Sequence, residues 1–308
     1  MLGAIDLGLI TGLMALGVYL TFRVLNFADL TVDGSFVTGA AIVAAGIAAG
    51  WPPLLATAVG FVAGCAAGAI TGLLNTWGGI NPLLSGILTQ IALYSINLRI
   101  MGVANISLLG KPTLLSGLRP MFSTWVSVCV FACVAVVFWL VVTWFLGTTV
   151  GLGLQASGDN ETMARAQGCA SKGMVVAGLA LSNGLVGLSG GLLAQYQGFT
   201  DISMGIGTIV AGLASVIIGQ AIFGAKPVWR GALAAVLGSV IYRVVIQLAL
   251  AVGLRATDMK IISAVLVIAA LLIPRIPFFN SFARARRERE IAKQVLAADL
   301  AQTNEVRL

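Results

Sequence analysis

Nine long, mostly apolar stretches follow one another along the chain, at approximately 4–22, 34–50, 53–76, 80–99, 121–146, 174–195, 203–223, 228–252 and 259–274. Roughly 20 apolar residues in a helix cross about 30 Å of hydrocarbon, so the series predicts an all-α, polytopic membrane helical bundle of about eight to ten transmembrane helices. In lipid each backbone polar group must be satisfied within the protein, which leaves little alternative to helices here. The mean hydropathy of +1.02 and a charged fraction of only 9% exclude an ordinary water-soluble core. Residues 1–6 lack the basic start of a cleavable signal, so the first span is expected to remain.

The chain has four cysteines, no C-x-x-C pair and no histidine, which disfavours metal sites and histidine-based catalysis. No cofactor or metal site is expected in this chain, nor a nucleic-acid partner. Cys129 and Cys133, four apart on one apolar span, read as small packing residues.

Basic residues accumulate on the cytoplasmic side of membrane proteins. Residues 275–308 hold seven Lys or Arg against four acids, so a transmembrane domain of 1–275 is expected, followed by a basic cytoplasmic tail, 276–308. The tail reads as a solvated helix that fixes topology, the alternative being docking to a partner or to anionic membrane lipid. Counting back through four spans puts Lys226, Arg230 and the segment 147–173 on the same, cytoplasmic, side. Arg99, Lys111 and Arg119 then fall in an external loop and run against the rule.

Gly60, Gly64, Gly68 and Gly72 recur every four residues and form one smooth helix face, as do Gly184, Gly187, Gly190 and Gly191. Such faces let helix backbones approach closely and read as packing surfaces. Polar residues at membrane depth are the usual functional pointers. Asn75, Gln90, Asn97, Asn183, Gln220, Arg243 and Gln247 qualify, and Gln90, Asn97, Asn183 and Arg243 are the candidates for a solute path. Asp33, ahead of an apolar run, is expected to cap the second span, with proton or ligand binding as the alternative for it and Asp29.

The midpoint of the chain, GLGLQASGDNETMARAQGCAS (151–171), is charged and helix-forming between two apolar runs. Ser157 or Asp159 can cap a short surface helix of about 157–169, Asp159 and Glu161 suit its positive end, and Gly168 can end it. Ala164 and Gly168, four apart, would give one smooth side for docking a protein. A membrane-surface helix is instead rich in Lys and Arg with bulky apolar residues opposite.

Gly158, Asp159, Asn160, Ala164 and Gly168 resemble the G-E-N-x-x-x-A-x-x-x-G cytoplasmic motif of ABC importer permease subunits, in the branched-chain amino acid and ribose permease superfamily. Three further stretches are similar, in the same order, to its tryptophan/tyrosine-type subgroup: LNFADLTVDGSF (25–36), 72–102 and 181–219. Asp159 stands where the family has Glu, and Glu161 where Pro is common.

The resemblance implies a permease subunit of the bacterial plasma (inner) membrane, not itself an enzyme. Its coupling helix, carrying Gly158, Asp159, Asn160, Glu161, Ala164, Arg165 and Gly168, would be pushed by separate ABC ATPase subunits that bind ATP and Mg. An external solute-binding protein would deliver a small-molecule solute, an amino acid or related compound, onto the loops 100–120 and 196–202. A second permease copy, as a homodimer, would complete the path. The sequence has no G-x-x-x-x-G-K-[ST] loop, since Lys111 precedes Pro112 and the other lysines lack a preceding glycine. The competing reading is an ion-gradient-driven secondary transporter, which wants carboxylates inside the bundle. Asp6, Asp29, Asp33, Asp201 and Asp258 fall at or near the expected span ends.

Overall fold

The computed structural model describes residues 2–117, 122, 124–253 and 259–272. The expected tail, 276–308, lies outside the described residues. Helices α1 (Leu2–Tyr19, continued by a π-helical turn, Leu20–Val24), α2 (Thr31–Ala48), α3 (Pro53–Thr76), α4 (Pro82–Met101) and α5 (Trp125–Gly147) form the first half. The second half holds α6 (Thr149–Asp159), α7 (Glu161–Ala166), α8 (Ser171–Gln197), α9 (Thr208–Phe223), α10 (Val228–Ala251) and α11 (Met259–Leu272). Seven of these are long and apolar enough to span a membrane, while α9 is a shorter apolar helix.

Local signals set several ends. Pro53 and Pro82 open α3 and α4 at positions where a missing N–H costs nothing. The Asn81 side chain accepts the Leu83 amide at 3.0 Å, and α4 stops at Gly102 in the left-handed region.

The two glycine faces meet each other in the core. A Cβ on Gly68 would stand 2.1 Å from the Leu179 carbonyl oxygen, and one on Gly190 would stand 2.0 Å from that of Phe36. Helix α8 is therefore seated backbone to backbone against α3 and α2. Serine hydroxyls bind the bundle to α1: Ser182 donates to Gly17 O at 2.7 Å, Ser189 to Ile10 O at 2.8 Å and Ser239 to Gly8 O at 2.6 Å. Such bonds act as polar glue between helices in lipid, where apolar contact alone has little preference. In contrast, α5 exposes apolar side chains with Trp125 and Trp144 near its two ends, the arrangement of a lipid-facing helix with interfacial anchors.

Two expectations are corrected by long-range pairing. The span expected at 203–223 begins only at Thr208, because Phe199–Asp201 forms a strand (β2) antiparallel to Asn105–Ser107 (β1), with Ile106 opposite Thr200. Residues 104–108 and 198–202 are thus zipped into one ribbon at one end of the bundle. Asp33 does not cap α2, which starts two residues earlier; Asp29 accepts the Thr31 amide at 2.8 Å instead. Asp33 reaches across to α9, where its carboxylate accepts from Gly207 N (3.0 Å), Thr208 Oγ1 (2.8 Å) and Ile209 N (2.8 Å).

Candidate solute cavity and coupling end

A cavity of about 410 Å³ opens between α2, α4 and the segment 202–206 that descends from the ribbon. Val37, Ile91, Tyr94, Ile202 and Ile206 supply apolar and aromatic wall, and Asp33, Gln90, Ser95 and Asn97 supply polar groups. Asn97 is buried and donates to the Gly34 carbonyl at 3.3 Å. Gly34 sits where a Cβ would meet Leu93 Cδ1 at 2.9 Å, so α2 and α4 close tightly behind the cavity. Because Asp33 also holds the N-terminus of α9, one wall is tied directly to the start of that helix. At the ribbon, the Ser203 hydroxyl and amide bond Asp201 and hold its carboxyl below the usual carboxylate range.

Of the four candidate path residues, Gln90 and Asn97 line this cavity. Asn183 lies instead at the seam of α2, α3 and α8. It accepts from Ser35 Oγ at 2.7 Å and donates to Asp29 Oδ2 at 2.7 Å and to Leu179 O at 3.0 Å. Arg243 is on α10, which packs on α1, α9, α5 and α11 rather than on the cavity helices. Asp29 and Asp6, expected near span ends, are fully buried. Asp6 accepts from Ser127 Oγ at 2.8 Å and from the Tyr196 hydroxyl at 3.3 Å, joining α1, α5 and α8.

Tyr94 and Ser95 line the cavity beyond the residues expected from sequence, and Asp33 lines it rather than capping α2. Gln90, Tyr94 and Asn97 do carry a readable signal, since spacings of four and three put them on one face of a helix. For Asp33 the sequence holds no such signal, because its partners are more than 170 residues away.

At the opposite end of the bundle, the expected single helix 157–169 is two helices. Asn160 breaks them and caps the second, accepting the Met163 amide at 3.0 Å. Neither Ser157 nor Asp159 is the cap: Ser157 donates to Gly153 O at 2.8 Å, and Asp159 is the last residue of α6. Asp159 therefore lies at the negative end of α6, one residue before the cap of α7. Gly158 packs against the end of α1, where a Cβ would stand 2.0 Å from Val24 O.

The smooth docking side of Ala164 and Gly168 is also corrected. Ala164 is buried against its own chain, and Gly168 (φ +83°) follows the helix as a left-handed stop. Met163, Thr162, Gln167 and the Glu161–Arg165 ion pair (2.5 Å) form the exposed face.

A polytopic helical bundle with a mainly apolar cavity that carries a few polar groups between its spans, and a pair of short helices at one end, has the build of a membrane transport protein. The match to the family of permease components of branched-chain amino acid transport systems runs over residues 1–272, and the chain belongs to that family. It is 42% identical to a tyrosine transport system permease protein of Clostridioides difficile (strain R20291), over 85% of this chain and 87% of that one. It is also 34% identical to an uncharacterised protein of Rickettsia prowazekii (strain Madrid E), over 87% of this chain and 95% of that one. No solved structure gives a significant match.

Proposed function

We propose that this chain is the membrane path of an ATP-driven importer for an amino acid, with tyrosine the first solute to test. The observation that carries the reading is the cavity between α2, α4 and residues 202–206. Its volume of about 410 Å³ lies within the roughly 300–1,000 Å³ of small-molecule sites, and its mixture of apolar wall and few convergent polar groups is typical of them. Tyr94, Ile91 and Ile206 can hold a ring, while Gln90, Ser95 and Asn97 can meet amino and carboxylate groups by hydrogen bonding.

In this reading the α6/α7 end faces the cytoplasm of a bacterial cell, on the same side as the basic tail. The ribbon end receives a solute-binding protein, and a second copy of the chain completes the path. ATP and Mg are bound by a separate ATPase that presses on the exposed face of α7. The contact of Gly158 with Val24 and Leu25 supports a route for that push, because α6 cannot shift without moving the end of α1. Asn160 lets α7 pivot on α6.

The test is reconstitution of the chain with its ATPase and binding protein in proteoliposomes. Tyrosine uptake should require ATP and should persist when an ionophore collapses ion gradients. Uptake abolished by the ionophore with ATP intact would overturn the proposal in favour of gradient-driven transport.

A further inference from the structure

A second cavity, of about 390 Å³, lies at the α6/α7 end and belongs to no part of the solute path. Tyr19 and Arg23 at the end of α1, Gln155 and Asp159 of α6, Gln220 of α9, and Lys226 in the turn before α10 line it. Arg23 Nε donates to Gln220 Oε1 at 2.6 Å. The salt bridge formed among the described residues is Glu161–Arg165, so Arg23 and Lys226 share this cavity with Asp159 without closing an ion pair. Two cations thus face a space that one carboxylate does not neutralise, while the Gln155 amide donates to the Leu146 and Gly151 carbonyls at 2.9 and 3.3 Å.

Trp229 and Arg230 follow Val228 of the cavity wall in the first turn of α10. Trp139 Nε1 donates to the Trp229 carbonyl at 3.0 Å, and the Arg230 guanidinium lies 5.0 Å from the Trp229 ring centre. Tryptophan beside Arg and Lys at the ends of spans marks the headgroup level of a bilayer.

We propose that this cavity seats the headgroup of an anionic phospholipid, held by its phosphodiester. A guanidinium offers paired N–H donors to phosphate oxygens, and an ammonium adds a point charge beside them. Basic pockets between helix ends are suited to such headgroups. The Asp159 carboxylate accepts from a headgroup hydroxyl, which favours phosphatidylglycerol over a bare phosphate. Since Asp159 ends α6 and Asn160 caps α7, a lipid seated here braces the helix pair against α1 and α9.

The experiment is native mass spectrometry of the purified full chain, titrated with phosphatidylglycerol, phosphatidylcholine or inorganic phosphate. Phosphatidylglycerol should bind saturably and several times more tightly than phosphatidylcholine, whose phosphodiester is offset by its own cation, and inorganic phosphate should not bind. At about fivefold per charge, Lys226→Gln should weaken binding roughly fivefold and Arg23→Gln/Lys226→Gln roughly thirtyfold, while Lys226→Arg should bind like wild type. Lys226 is exposed, so the single variant tests the site even if the double variant does not fold. Unchanged phosphatidylglycerol affinity in folded Lys226→Gln would overturn the proposal. Inorganic phosphate binding as tightly as the lipid would overturn the lipid as the ligand.

Discussion

Gly158→Ala separates a packing role from a docking role in the 158–168 motif. The added Cβ would stand 2.0 Å from Val24 O, 2.9 Å from Leu25 Cα and 3.0 Å from Leu25 C. Ordinary contact begins at 3.4 Å, so α6 must retreat by roughly 1.4 Å, the difference between 3.4 and 2.0. These atoms are backbone on both sides and cannot swing away. Overpacking of this kind costs about 1–3 kcal/mol, and a central value of about 2 kcal/mol lowers the melting temperature by about 4–8 °C at roughly 2–4 °C per kcal/mol. The purified variant is compared by thermal unfolding, and by solute-stimulated ATPase activity once assembled. Gly147→Ala is the control, since nothing lies within 4 Å of its Cβ and alanine is the better helix former. The assembled Gly158→Ala protein should bind the ATPase yet lose most stimulation, because the α6 contact with α1 is spread. A Gly158→Ala protein that melts and couples like Gly147→Ala would refute the reasoning.

Asp33→Ala removes three bonds to the start of α9 and should destabilise by about 1–2 kcal/mol, the upper range for a lost cap; thermal unfolding checks the cost, and uptake should fall with it. Met163→Asp changes an exposed side chain of α7 and should leave stability within about 0.5 kcal/mol of wild type by thermal unfolding, while a pull-down should show reduced ATPase retention.

The spans were legible because membrane burial is written locally. The stretches 53–76 and 228–252 match Pro53–Thr76 and Val228–Ala251 almost to the residue. Where the chain pairs across distance, the sequence was silent. Residues 203–207 adjoin an apolar run, yet they follow the strand 199–201, paired with 105–107, and fold as turns that bring Gly205 and Ile206 into the cavity wall. Asp33 satisfied a local capping rule equally well at α2, and only the fold brings Gly207 to it. Asn183 and Gln90 look alike in sequence, both being amides within apolar runs. Three hydrogen bonds occupy Asn183 at a helix seam, whereas Gln90 fronts open space. Asn160, one residue beyond the expected Asp159, became the cap because α6 extends through Asp159 before the chain turns.

Solute occupancy of the α2/α4 cavity is tested most directly by Ser95→Cys. Ser95 is exposed on the cavity wall, and alkylation needs a thiolate reached by water. The variant is reconstituted with ATPase and binding protein, and the alkylation rate of the introduced thiol is followed by mass spectrometry of its peptide during turnover. Tyrosine should slow the reaction severalfold while a solute that is not transported leaves it unchanged. An alkylation rate indifferent to tyrosine, measured while tyrosine is being pumped, would contradict the assignment of this cavity to the solute path.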